Sequence, residues 1–322
     1  MNKSQSCVFR AACAAAFLAA PLARGGNVNA YLDGGDLVIC GTSSADNVGV
    51  RQIGPSTWRV SSLAGSTKIN GSSYQDFDPV YCGIRIDMKG GNDGLVVQDG
   101  IIPKSLCIYM GSGNDNVALN NLTIGGYSIV AEGLQSEEVS SSGGYLRLKG
   151  DDGNDSLWVN NLVVLYNAYW SPNTVDSDLL TTKAQTSGGS SSKWSTIAGC
   201  SGNDRIVVQN FQVKKLEVTG GSGKDDVAVQ VGSLPNFGCE RFCIDTGSDT
   251  DQLKLNMAFA EKLMVEVGPG KSDKVNVVGT FADCAEFEDC GTNGFITGAA
   301  SSFNSLWIDS NFTHVSGTFI TY

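Results

Sequence analysis

The chain has 322 residues, 41% of them hydrophobic, with 40 glycines, seven prolines and a formal net charge of −11. That length supports a substantial core, the glycine content marks a chain rich in turns, and the acidic balance repels nucleic acid and anionic lipid. Nucleic-acid binding is excluded as an expectation, and so is membrane insertion, because no run reaches the roughly 20 apolar residues that a span needs.

Residues 1–25 come first. Lys3 and Arg10 precede an apolar run from Ala11 to Leu22 that contains many small residues, the layout of a secretory signal peptide. Cleavage is expected between Ala20 and Ala30, with Ala23-Arg24-Gly25 as one small-residue option. Its removal takes away Lys3, Arg10 and Arg24 and no acid, which makes the remainder more acidic still. The expectation is a secreted or cell-surface protein, periplasmic or extracellular.

Residues 26–322 read as one continuous solenoid. Asp46, Asp93, Asp115, Asp155, Asp204, Asp225, Asp251 and Asp273 each precede apolar residues at the second and fourth positions, as in Asp115 with Val117 and Leu119. Period-two alternation marks a strand with one buried face, and its recurrence marks a stacked repeat. The aspartates lie 47, 22, 40, 49, 21, 26 and 22 residues apart, which fits a unit of about 22 residues if each long gap hides a degraded copy. Glu137 with Val139 and Asp178 with Leu180 are the candidates for hidden copies.

A second apolar pair precedes most markers: Leu37 and Ile39, Ile84 and Ile86, Leu106 and Ile108, Leu146 and Leu148, Leu216 and Val218, Phe242 and Ile244. A third follows in the best copies, as Leu122 and Ile124, Leu162 and Val164, Phe211 and Val213. Three short strands per unit cannot bury an apolar face alone, but stacking at about 4.8 Å pairs each strand with its equivalents and makes the core continuous. The predicted fold is all-β, a right-handed parallel β-helix of about 22-residue coils.

Glycines crowd the turn before each marker, as in Gly111-Ser112-Gly113-Asn114-Asp115, where a tight corner needs positive φ. The pairs Asn120-Asn121, Asn160-Asn161 and Gln209-Asn210 suggest a second corner with stacked amide ladders. Residues 165–194 read as an insertion ending in a Ser/Gly-rich run. Cys40, Cys82, Cys107, Cys200, Cys239, Cys243, Cys284 and Cys290 follow the signal, and an even count in an exported chain favours disulfides, with Cys284 to Cys290 the most plausible local bridge. Asn70, Asn121 and Asn311 fit the glycosylation triplet.

The glycine turns resemble the RTX, or haemolysin-type, calcium-binding nonapeptide GGxGxDxUx, the fullest copy being Gly220, Gly221, Gly223, Asp225 and Val227. In that family the aspartates and turn carbonyls of successive nonapeptides coordinate calcium inside an 18-residue coil. Here the match covers one corner per coil and the nonapeptides are not in tandem, so the resemblance implies the turn shape. Calcium is the cofactor it suggests, at Asp93 with Asp115 and at Asp204 with Asp225, which lie in neighbouring coils with intact glycine turns. Carboxylates repeated at the coil spacing repel by about 1 kcal/mol per pair even in water. Either a hard cation bridges them, or they accept turn amide hydrogens.

Enzyme chemistry finds little footing. His314 is the lone histidine, and no GxSxG, HExxH or Cys/His arrangement accompanies it. Parallel β-helices host polysaccharide lyases and polygalacturonase-like hydrolases, and the run Asn173 to Asp178 with Asp151-Asp152 faintly resembles the hydrolase motifs, but their GHG and RIK elements are missing. Outward positions favour binding instead: Val96, Ala118, Trp158, Val207 and Ala228 would align as an apolar stripe on which Trp158, with Tyr169 and Trp170 nearby in sequence, stacks sugar rings. The alternative is that residues 165–194 pack over the stripe. The expected role is an exported, non-enzymatic surface or matrix protein whose wall meets a glycan or cell-surface protein partner, the second reading being a glycan-cleaving β-helix enzyme.

Overall fold

The computed structural model describes residues 25–64, 66–125, 144–164, 194–230, 239–256, 259–270, 272–291 and 293–321. Every regular element among them is a β-strand, and the 22 strands join one hydrogen-bonded system dominated by parallel pairs. The ladder that follows the marker aspartates runs Val48, Leu95, Val117, Leu157, Ile206, Val227, Leu253, Val275, Ile296, each residue paired in parallel with the next. A second parallel ladder runs Ile39, Ile86, Ile108, Leu148, Ile197, Val218, Ile244, Val265, Phe287. All eighteen are at most 2% exposed, so the period-two apolar residues do form one continuous core, each contributing about 1.5–3 kcal/mol through burial. The arrangement is compatible with a β-helix type of repeat.

The hidden copies are a correction. Asn116–Ile124 pairs directly with Ser156–Val164, and that strand pairs directly with Arg205–Ser222, so no rung stands between them. Glu137, Val139, Asp178 and Leu180 themselves lie outside the described residues. The first long gap is likewise bridged by direct pairing of Asn47–Gln52 with Gly94–Ile102. Two of its strands pair antiparallel beside the stack, Trp58–Ser62 on Asn47–Gln52 and Tyr74–Phe77 on Trp58–Ser62. Chain length alone does not separate an insertion from a degraded coil.

Both predicted corners form. Asp99, Asn121, Asn161 and Asn210 hold φ values of 54°, 54°, 58° and 50°, the left-handed region that short polar side chains tolerate. Their amides stack: Asn121 Nδ2 donates to Asp99 Oδ1 at 2.8 Å, Asn161 Nδ2 to Asn121 Oδ1 at 2.9 Å, and Asn210 Nδ2 to Asn160 Oδ1 at 3.0 Å. Asn121 Nδ2, the nitrogen a glycan would need, is therefore engaged, as are those of Asn70 with the Ala30 carbonyl and of Asn311 with the Asp289 carbonyl.

The predicted Cys284–Cys290 bridge does not form. The described side chains of Cys40, Cys82, Cys107, Cys200, Cys243, Cys284 and Cys290 are all free thiols. Cys284 lies on the strand Phe281–Asp289 and Cys290 immediately follows it, and six residues of extended chain span about 20 Å, far beyond disulfide reach.

Candidate functional site

The glycine turns place the marker aspartates just inside the stack, where they build a ladder of their own. The backbone N–H of each aspartate donates to Oδ1 of the aspartate one rung on: Asp46 to Asp93 at 2.7 Å, Asp93 to Asp115 at 2.7 Å, Asp115 to Asp155 at 2.8 Å, Asp155 to Asp204 at 2.7 Å, Asp204 to Asp225 at 2.8 Å, Asp225 to Asp251 at 2.9 Å and Asp251 to Asp273 at 2.8 Å. The preceding asparagines form a ladder of opposite direction in the turn outside, Asn92 Oδ1 accepting from Asn114 N, Asn114 from Asn154 and Asn154 from Asn203. Tight stacking of these turns requires glycine: at Gly153 and Gly202 φ is 134° and 130°, and a methyl group would run into the carbonyl oxygen of Gly113 or Gly153 on the neighbouring rung.

The two oxygens of each carboxyl group fare differently. Asp46 is fully served, since Oδ1 accepts from Gly26 N and Oδ2 from the N–H and hydroxyl of Thr42. In Asp93, Asp115, Asp155, Asp204, Asp225 and Asp273, Oδ2 has no hydrogen-bond partner among the described residues, although each side chain is at most 3% exposed. On three rungs Oδ2 faces the bare Cα of the glycine five residues earlier, Gly150, Gly199 and Gly220, and a main-chain carbonyl faces the same spot: those of Gly199, Gly220 and Thr246. A buried carboxylate oxygen with no hydrogen-bond donor beside it calls for a proton or a cation.

Burial is the main force on their acidity. It pushes Asp93 up to about 8, and the neighbouring charges of Asp115 and Asp46 add to the rise, while the amide hydrogen bond from Asp46 opposes it. The same cause lifts Asp155 and Asp225 to about 7 and Asp115 and Asp251 to about 6, and raises Asp204 and Asp273 as well.

The predicted pairs Asp93 with Asp115 and Asp204 with Asp225 do occupy neighbouring rungs. So do Asp115 with Asp155 and Asp155 with Asp204, pairs that the hidden-copy reading keeps apart. No group of three or more His, Cys, Asp or Glu suited to a metal gathers among the described residues.

On the outward face the stripe is in register. Val96, Ala118, Trp158, Val207 and Ala228 are successive partners, with Gly49 before them and Lys254 after. Ala118 is buried and the other four are half-buried. Asp152 accepts from the Ser201 hydroxyl at 2.6 Å, and residues 173–178 lie outside the described residues. His314 stacks on Phe295, with ring centroids 4.6 Å apart. Comparison with protein-family models, with curated proteins and with solved structures found no match to this chain.

Proposed function

We propose that this is an exported, non-enzymatic protein of the cell surface or extracellular space, wound as a right-handed parallel β-helix with coils of about 22 residues. Its long outer wall serves to bind a glycan or a cell-surface protein. Marker spacings of 21, 22 and 26 residues between directly stacked rungs support the coil length, and the right hand follows the general rule for parallel strand connections.

The observation that carries the binding role is the in-register column Val96–Ala118–Trp158–Val207–Ala228. Outward apolar columns are characteristic of partner surfaces, and an aromatic ring at the centre supplies a stacking face. Replacing Trp158 with Ala is expected to lower retention on a glycan array at least tenfold while the melting temperature moves by only a few degrees. Unchanged retention would remove the wall from the account, and a large loss of stability would make Trp158 a packing residue.

Calcium enters as a stabiliser of the turn ladder. The orphaned Oδ2 atoms fit a hard cation, and Asp93 with Asp115 and Asp204 with Asp225 would hold it together with turn carbonyls such as that of Gly220. When bound it supplies positive charge to stacked carboxylates. Millimolar calcium added to chelator-treated protein at pH 8 is expected to raise the melting temperature by several degrees. No shift, together with no heat in a calorimetric titration, leaves the proton as the ladder's sole counter-charge.

A further inference from the structure

We propose that a cleft at the N-terminal end of the outer wall is a subsite for a sugar bearing a carboxylate, which makes the ligand of the wall an acidic glycan; this rests on the glycan-binding reading above. The cleft, 190 Å³ in volume, is lined by Gly49, Arg51, Arg59, Ser61, Leu63, Val96 and Gln98 together with Val50. It exists because Asn47–Gln52 is flanked on one side by the antiparallel strand Trp58–Ser62 and on the other by the parallel strand Gly94–Ile102. Ser61, Gly49 and Val96 therefore lie side by side across three strands, and Arg59, Arg51 and Gln98 form the next row. Gly49 makes the depression: a Cβ there would sit 2.8 Å from Leu63 Cδ2 and 3.1 Å from Ser61 Oγ.

The charges call for an anion. Arg51 and Arg59 are direct cross-strand partners, an arrangement that like charges disfavour. Arg59 is neutralised: Asp76 grips it through Nε at 2.7 Å and Nη2 at 2.8 Å, and its guanidinium lies 4.3 Å from the centre of the Tyr74 ring. Arg51 is exposed and forms no ion pair among the described residues, so one guanidinium fork is left open beside a neutralised one. A carboxylate matches that fork through two parallel hydrogen bonds. Gln98 and Ser61 offer polar atoms for hydroxyl groups, and Leu63 and Val96 offer an apolar floor for a ring face.

The cleft is also continuous with the wall. Val96 is followed in register by Ala118 and Trp158, so the indole stands two rungs, about 10 Å, from the cleft floor. An oligosaccharide lying along the stack can set one ring on Trp158 and present the carboxylate of another to Arg51.

The test compares cellotetraose with its C6-oxidised, tetraglucuronate form, titrated into the full chain, into Arg51→Gln and into Trp158→Ala, with a thermal melt of each variant as a folding control. The wild-type chain is expected to bind the uronate at least tenfold more tightly than the neutral sugar, with a preference that shrinks as salt rises. Arg51→Gln should abolish the preference for the uronate, and Trp158→Ala should weaken binding of both sugars. Equal binding of the two sugars, or a preference that survives in Arg51→Gln, overturns the acidic subsite while the glycan wall stands. Binding of neither sugar overturns both.

Discussion

Raising the pH from 4.5 to 8 is expected to weaken this protein strongly, against the usual trend for an acidic chain. The sign follows from the ladder. Asp93, Asp155 and Asp225 titrate at about 8, 7 and 7 in the folded protein, against roughly 3.9 for an unfolded aspartate. Between those limits the folded state holds more protons than the unfolded state, so stability falls with pH. The contribution is fully present below about pH 4 and is lost as the pH passes through 6 to 8. Each unit of displacement is worth about 1.4 kcal/mol. Several buried aspartates together make a loss on the order of several kcal/mol, enough to move a urea midpoint plainly. The sharper probe is Asp155→Asn. The amide keeps an oxygen to accept from Asp115 N and replaces the unpartnered Oδ2 by a neutral group that never ionises. This variant should match the wild type at pH 4.5 and exceed it at pH 8. A wild-type midpoint that is flat or rises with pH, or an Asp155→Asn protein that is weaker than the wild type at pH 8, would mean that the ladder is ionised in the fold and otherwise served.

The same ladder shows what the sequence makes legible. Apolar residues two and four positions after an aspartate suffice to place the parallel ladder, because period-two alternation is a local consequence of the pleat. The second ladder is legible where the turn keeps its length and is lost where it does not. Val265 precedes Asp273 by one residue more than Ile244 precedes Asp251, because the turn around Gly268 and Gly270 is longer, and Gly294 stands where a ninth aspartate would follow Phe287. The strand beginning at Ser195 escapes the pattern because a buried serine, whose hydroxyl accepts from Leu146 N, occupies an apolar position. Gap lengths mislead since an insertion and a coil can have equal length, and only the pairing tells them apart. The asymmetry between Oδ1 and Oδ2 is beyond reach of the sequence, because it depends on side-chain torsions set by the stacking of neighbouring rungs. So is the Arg51–Arg59 cleft, which rests on antiparallel pairing between segments whose partnership no periodic pattern announces.

The turn glycines carry the second large effect. Gly202→Ala places a methyl group where φ is 130°, a conformation costing a non-glycine residue about 1–3 kcal/mol, and drives it into the Gly153 carbonyl. Relief requires the two rungs to part, and parting strains three contacts at once: Gly153 N to the Ser201 carbonyl at 2.8 Å, Asn203 N to Asn154 Oδ1 at 2.7 Å, and Asp155 N to Asp204 Oδ1 at 2.7 Å. A total cost of about 3–5 kcal/mol follows, a fall in melting temperature on the order of 10 °C for a domain this long. The loss should be local at first, with faster amide exchange at Gly153, Asp155 and Asn203 and little change at Val48 or Leu95, since each rung of a stack touches only its neighbours. Trp158 and Val207 are partners on these same two rungs, so sugar binding at the wall should weaken together with the turn. A variant that melts like the wild type would show that the rungs at this corner are not in contact, and the amide and aspartate ladders would fall with them.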